Sequence, residues 1–401
     1  MPETRLQLLA RAIEAYVPRA VALRRDLHAH PELGLECART ARVTKDELAS
    51  LGCEILAEGL GKTGLVALVR GNRPGKGKIV AFRADMDALP LTEATGVDYA
   101  SQVPGMMHAC GHDGHVAIAL AVASALRCFK DFPGAAAIVI QPGEEGFAGA
   151  REMIQDGLFK ICPASEIYAV HGAADVPFGR FATKPGPMTA AGDLFRIAVK
   201  GKGGHGGRPQ AAVDPVVAAG QLIVALQSVV SRNTDPTHAA VISIGSIHAG
   251  SEDGVSVIPA QVRLAGTTRT FTEEDRTFVE TRMREMCEAI GRATRTEIAL
   301  DYVRMYPAVV NSPEQTAALE AAVRELYGDE AMAPAAPAMG SEDFSFMLEK
   351  VPGCYVRVGT GDENHTAMQH HPAFDFNDRA IAPAAGLMAE LVLRRLEALN
   401  G

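Results

Sequence analysis

Apolar positions at the start of the chain fall at helical spacing. Leu8, Leu9, Ile13, Tyr16 and Val17, then Val21, Leu23 and Leu27, line one face of residues 4–28. Pro18 interrupts the pattern, which predicts one kinked helix or two short ones. Short continuous apolar runs then alternate with helical stretches: strands at 64–69 and 79–83, a helix near 115–129, a strand at 136–140, a short helix near 148–157 and a strand at 167–170. Strands separated by helices need crossover connections, so the expected architecture is α/β, with a mostly parallel, doubly wound sheet.

From about residue 186 to 304 the pattern changes. It reads as a strand (194–200), a helix (214–231), two strands (239–247 and 262–268), a helix (272–294) and a strand (297–303). That β-α-β-β-α-β order predicts a ferredoxin-like module, two helices on one face of a four-stranded antiparallel sheet. The α/β character resumes at Tyr306, with a strand at 354–358 and a closing helix at 379–399. The simplest organisation is one larger domain in two parts, residues 1–185 and 305–401, interrupted by an inserted module at 186–304.

The 401 residues suffice for two or three domains, and 47% hydrophobic with 22% charged residues is an ordinary folded mix. Basic and acidic residues number 39 and 48 without blocks of like charge, which argues against a nucleic-acid partner. The longest apolar run near a helix, residues 116–126, falls short of the ~20 residues of a membrane span, so no membrane partner is expected. The opening residues show no apolar leader, so export by a signal peptide is not expected. Seven cysteines without close-set pairs predict a reducing, cytoplasmic setting.

Polar residues change the picture at the strand ends. Residues 79–83 run into Asp85 and Asp87, 136–140 into Glu144 and Glu145, and 167–170 into His171. In open α/β sheets, ligands bind at the carboxyl ends of the strands. A further turn supplies Cys110, His112 and His115 ahead of an apolar helix. Taken singly, such residues are solvated turns, caps or small core groups. Together, several turns offering ligands at one sheet edge predict a metal centre. Cys110 and His112 suit Zn²⁺ or a similar borderline ion. Adjacent Glu144 and Glu145 repel unless a cation is near; with one on the metal, the other is free to take a proton from water. His115, one turn after His112, reads as a supporting or surface residue.

These residues carry a resemblance. The stretches Arg83-Ala84-Asp85-Met86-Asp87-Ala88-Leu89-Pro90, Met107-His108-Ala109-Cys110-Gly111-His112-Asp113-Gly114-His115 and Gln141-Pro142-Gly143-Glu144-Glu145-Gly146 resemble those of the di-metal amidohydrolases. That family includes hippurate hydrolases, N-acyl-amino-acid aminoacylases and plant indole-acetyl-amino-acid hydrolases. So do Gly203-Gly204-His205, Val257-Ile258-Pro259, Gly266-Thr267-Thr268-Arg269-Thr270, Gly340-Ser341-Glu342-Asp343-Phe344 and His370-His371-Pro372, over about residues 20–380.

The resemblance implies two divalent metal ions per subunit (Zn, Mn, Co or Ni), held by Cys110, His112, Glu145, His171 and His370, with Glu144 as general base. His370 rather than His371 follows from the family's spacing before proline. It implies that Asp85 and Asp87 orient the metal ligands, and that the inserted module is a lid and dimerisation domain. There His205 stabilises the developing oxyanion, in relatives sometimes from the partner subunit. Ser256 stands where the family often has Asn, and Arg269 is a carboxylate or structural partner. The implied activity is metal-dependent hydrolysis of a small N-acyl-amino acid by a homodimer or homotetramer. The alternatives are a dipeptidase or diamino-acid deacetylase of the same fold, or a metal-containing binding protein without activity.

Overall fold

The computed structural model describes residues 3–401, which form two compact units. The larger runs to Met188 and includes Val310–Ala336 and Asp343–Gly401; the smaller comprises Thr189–Val309 and Pro337–Glu342. Pro337–Glu342, expected in the larger domain, groups with the smaller unit, where the Ala190 amide donates to the carbonyls of Ala338 and Gly340.

In chain order the larger unit contains α1 (Arg5–Ala29), α2 (Ala38–Ser50), β1 (Glu54–Leu60), β2 (Gly64–Arg70), β3 (Ile79–Asp85), α3 (His112–Cys128), β4 (Ala135–Gln141), β5 (Glu166–Pro177) and β6 (Phe181–Ala182). The smaller unit follows with β7 (Ala191–Lys200), α4 (Pro215–Ser228), β8 (Ala240–Ala249), β9 (Gln261–Thr270), α5 (Glu273–Thr294) and β10 (Glu297–Tyr306). The chain then returns to the larger unit with α6 (Pro313–Tyr327), β11 (Gly353–Gly361) and α7 (Ile381–Asn400).

The seven strands of the larger sheet lie in the order β1-β2-β4-β3-β5-β11-β6. β4, β3, β5 and β11 are mutually parallel, and the antiparallel pairings lie towards the two edges. β3 and β4 are buried nearly throughout, which explains their continuous apolar runs. α3 is buried from His112 to Leu126 and almost wholly apolar from Val116 onward, as a helix packed on every side must be. α1 is a single helix despite Pro18, opened by a capping box between Thr4 and Gln7.

Strand β5 is longer than its apolar run. Its parallel pairing with β11 continues through His171, Gly172 and Ala173, so His171 stands inside the strand rather than after it.

The smaller unit has the expected β-α-β-β-α-β order. Its sheet, β8-β9-β7-β10, is antiparallel throughout. Phe195, Ile197 and Val199 of β7 alternate inward to meet Leu222 and Leu226 of α4 and Val279 and Met283 of α5. Asp214 and Thr272 cap the two helices, each accepting backbone N–H bonds. Pro215–Asn233, with a mean hydropathy of 1.3, is long and apolar enough to cross a membrane, a property the run at 116–126 did not reveal. In the fold, Ala218, Leu222, Leu226 and Val229 of this segment are buried in the unit's core.

Candidate metal centre

Three neighbouring strands bring the acidic and imidazole groups to one sheet edge. Because β4, β3 and β5 are adjacent and parallel, Asp85 at the end of β3 with Asp87 just beyond it, the Glu144–Glu145 turn after β4, and His171 on β5 share that edge. α3 begins at His112. Gly111 before it has φ +87°, and a Cβ there would come within 3.0 Å of the Phe376 ring, so the tight entry needs glycine.

The donor atoms form overlapping groups whose members all lie within 4.8 Å of one another: Cys110 with His112 and His171, Cys110 with Glu145 and His370, and His112 with Glu144 and Glu145. Cys110 Sγ is 3.4 Å from His171 Nε2, and Glu145 Oε1 is 3.2 Å from His370 Nε2. His371 stands outside these groups; its Nδ1 accepts from the Ala373 amide, and its side chain is exposed.

The imidazoles are presented as ligands. His112 Nδ1 donates to the Asp87 carbonyl at 2.8 Å, and His171 Nδ1 donates to the Gly172 carbonyl at 2.7 Å. Both rings therefore turn a bare Nε2 towards the cluster. His112 Nε2 is buried and has no hydrogen-bond partner among the described residues. A buried acceptor without a partner is costly, and a cation would satisfy it. The thiol, imidazole and carboxylate set thus fits a borderline divalent ion.

Burial and mutual contacts shift the protonation of these donors strongly. Burial, with the nearby Glu145 carboxylate, pushes the Cys110 thiol up from its ordinary value. Hydrogen bonds with Cys110 and Glu145 raise His370 to about 10 against the effect of its partial burial. Burial and the neighbouring His115 hold His171 well below the usual imidazole range.

The backbone at His370 is unusual. Its φ is +65°, the left-handed region that L side chains rarely adopt, and its amide donates to the Ala109 carbonyl at 2.8 Å. That bond ties the last candidate ligand to the residue before the first.

A second layer of buried carboxylates supports the first. Asp87 Oδ1 accepts the Glu144 amide at 2.9 Å, and Oδ2 accepts the Glu145 amide at 3.1 Å. Asp85 is held between Arg83 at 2.7 Å and His115 at 2.5 Å, with His112 Nε2 at 3.7 Å. Arg83 also donates to Gln141 and Asp343, and Asp343 accepts the Ala150 amide at 2.8 Å. Residue-by-residue reading misses this use of Arg83, Gln141 and Asp343; the only signal in the sequence is that all three fall within stretches that resemble the family. Farther back, fully buried Arg24 pairs with Asp113, Asp375 and Asp378, while His28 bridges Asp113 and Glu93.

In the smaller unit, His205 is exposed on a two-residue strand paired with Val257–Ile258. Its Nδ1 accepts the Gly207 amide at 2.9 Å, which leaves the proton on Nε2. Ser256 contributes its carbonyl to the Gly206 amide. Arg269 donates to the carbonyls of Met339 and Thr268 and to the Thr267 hydroxyl, a structural role within its own unit.

The chain is 39% identical to an N-acetylcysteine deacetylase of Bacillus subtilis over 97% of its own length and 100% of that protein's. It is 37% identical to a hippurate hydrolase of Campylobacter jejuni, over 94% of this chain and 96% of the other. Among solved structures, a dinuclear metal binding peptidase of Bacillus subtilis superposes with a TM-score of 0.84 at 35% identity, covering 96% of this chain and 99% of that one. With the model of peptidase family M20/M25/M40 matching residues 81–394, the chain belongs to that family.

Proposed function

We propose that the protein is a metal-dependent amidohydrolase that cleaves the amide bond of small N-acyl-amino acids to a carboxylic acid and a free amino acid. The observation that carries this reading is the buried Glu144 carboxylate beside a cluster of thiol, imidazole and carboxylate donors with bare ring nitrogens. Cys110, His112, Glu145, His171 and His370 would hold two divalent ions. Zn²⁺, Mn²⁺, Co²⁺ and Ni²⁺ all accept such a set. Bound there, the ions would polarise the scissile carbonyl and lower the pKa of water.

The chain's own residues do the rest. Glu144 takes a proton from the attacking water as its oxygen bonds to the amide carbon. By resemblance to the family, His205, which keeps its proton on Nε2, is the donor to the oxyanion of the tetrahedral species, from its own subunit or from the partner. Glu144 then returns the proton to the leaving nitrogen as the C–N bond breaks. Phe147, three residues after Glu144, packs its ring on Gly34 yet remains 53% exposed, an apolar face suited to an acyl group. Val216, Val217 and Val224 on α4 and Ile247 on edge strand β8 are exposed apolar residues, which suit a homodimer built on the smaller unit.

The test is hydrolysis of N-benzoylglycine, N-acetyl amino acids, indole-acetyl-alanine and a dipeptide by metal-free protein, with and without each of the four ions. Metal-restored release of amino acid from an acylated substrate, absent in Glu144→Gln, is the expected result. Preference for the dipeptide would make the protein a dipeptidase. Uptake of two ions with no turnover would point to a substrate outside this panel or to a binding protein.

A further inference from the structure

His115 is the one imidazole of the cluster to which the proposed reaction gives no part. It is fully buried, its ring centroid lies 4.7 Å from that of His171 and 5.4 Å from that of His112, and its donor atoms gather with those of Asp85 and His112 as a metal site's would. Yet neither nitrogen is available. The Gly172 amide donates to His115 Nε2 at 2.8 Å, and Nδ1 lies 2.5 Å from Asp85 Oδ1. An N–H pointing at Nε2 requires a lone pair there, so the proton is on Nδ1 and is donated to Asp85. Asp85 is fixed in turn by Arg83.

The Gly172 amide belongs to the peptide that joins it to His171. That peptide is therefore held by His115, while the His171 ring is held by its own Nδ1–H bond to the Gly172 carbonyl. Two constraints, one on the backbone and one on the ring, aim His171 Nε2 at Cys110 Sγ. We propose that His115 is a positioning residue: as a neutral Nδ1–H imidazole it anchors the His171–Gly172 peptide and thereby sets His171 as a ligand. The inference rests on the metal-binding reading above. It assigns the effect to the acceptor at Nε2 rather than to the contact with Asp85.

Two substitutions separate those contacts. In His115→Asn the side-chain amide reaches only as far as Nδ1, keeping a donor for Asp85 and losing the acceptor for Gly172. In His115→Gln the longer side chain places its oxygen near the old Nε2 and restores that acceptor. Each variant is dialysed against buffered free Zn²⁺ and its bound zinc per chain measured, with the thermal midpoint of the metal-free protein followed in parallel. His115→Asn is expected to weaken one of two zinc sites by about 10–100-fold, and His115→Gln to stay within a few-fold of the parent. Wild-type-like binding by His115→Asn, or equal losses in both variants, overturns the proposal. Fewer than two sites in the parent protein is a failure of the metal reading instead.

Should either variant not fold, ¹⁵N chemical shifts of the histidine rings in the parent protein decide the matter. The Nδ1–H tautomer at His115 is expected with and without zinc, and an Nε2–H tautomer overturns the proposal.

Discussion

Asp87 accepts the backbone amide of Glu144 through one carboxylate oxygen, while its other oxygen takes the amide of Glu145. A side chain at the end of β3 thus fixes the turn after β4, and its own carbonyl orients His112. Replacing Asp87 with Ala leaves two amides without acceptors, at about 1–3 kcal/mol each where buried. Asp87→Ala is expected to lower kcat at least tenfold and to reduce bound metal, read by steady-state kinetics and metal analysis of the same preparation. Full metal content with unchanged kcat would show that the clamp is dispensable.

The turn is also confined from behind. A Cβ on Gly149 would lie 1.7 Å from the Pro142 carbonyl oxygen, so Gly149→Ala must displace the segment that carries Glu144. The expected cost is about 1–3 kcal/mol of stability together with a fall in kcat. A Cβ on Gly220 of α4 would meet no heavy atom within 4 Å, and Gly220→Ala should instead stabilise by about 0.4–1 kcal/mol. Denaturant unfolding of both variants checks the contrast; equal effects would refute it.

His205 offers a protonated Nε2, so His205→Ala removes a donor without touching the donor cluster. The expected outcome is a fall in kcat of roughly 10²–10³ with bound metal unchanged. A change confined to KM would mean that His205 binds ground state and transition state equally, not the oxyanion in particular.

His28 gives stability a pH dependence. Burial alone would lower its pKa, but the Asp113 charge and hydrogen bonds to Asp113 and Glu93 outweigh burial and the repulsion of Arg24, raising it to about 9. A raised imidazole stabilises the fold fully below its unfolded value near 6.5, and that contribution is lost as pH climbs through about 9. The span corresponds to a contribution on the order of 3 kcal/mol. Unfolding free energy should therefore fall more steeply between pH 6.5 and 9 in the parent than in His28→Gln. Parallel slopes would count against the His28–Asp113 pair as the source.

Legibility in the sequence followed burial. β3 and β4 showed themselves because both faces are buried, and the four strands of the inserted module because its residues alternate. α2 did not, since its buried positions are Thr40, Thr44, Glu47 and Leu48, a mostly polar set without an apolar stripe. β1 is an edge strand with most of its residues partly or fully exposed, and it escaped for that reason. Among site residues, Cys110, His112, Glu144, Glu145 and His171 were signalled by their place beside apolar runs. His370 had no such mark, because a hydrogen bond to Ala109 and a left-handed backbone, not a strand end, bring it in. The part played by His115 rests on which nitrogen holds the proton, and residue order carries no trace of that.

The insertion of one unit within the other sets a timetable for biosynthesis. Cys110, His112, Glu145 and His171 leave the ribosome before the smaller unit is made, and His370 follows only after it. At about 5–20 residues per second, the roughly 200 intervening residues take roughly 10–40 s. Throughout that interval four of the five proposed ligands wait for the fifth, and β11, which pairs with β5, and α7, which packs on α3, are also still to be made. Stalled chains ending before His370 should hydrolyse nothing.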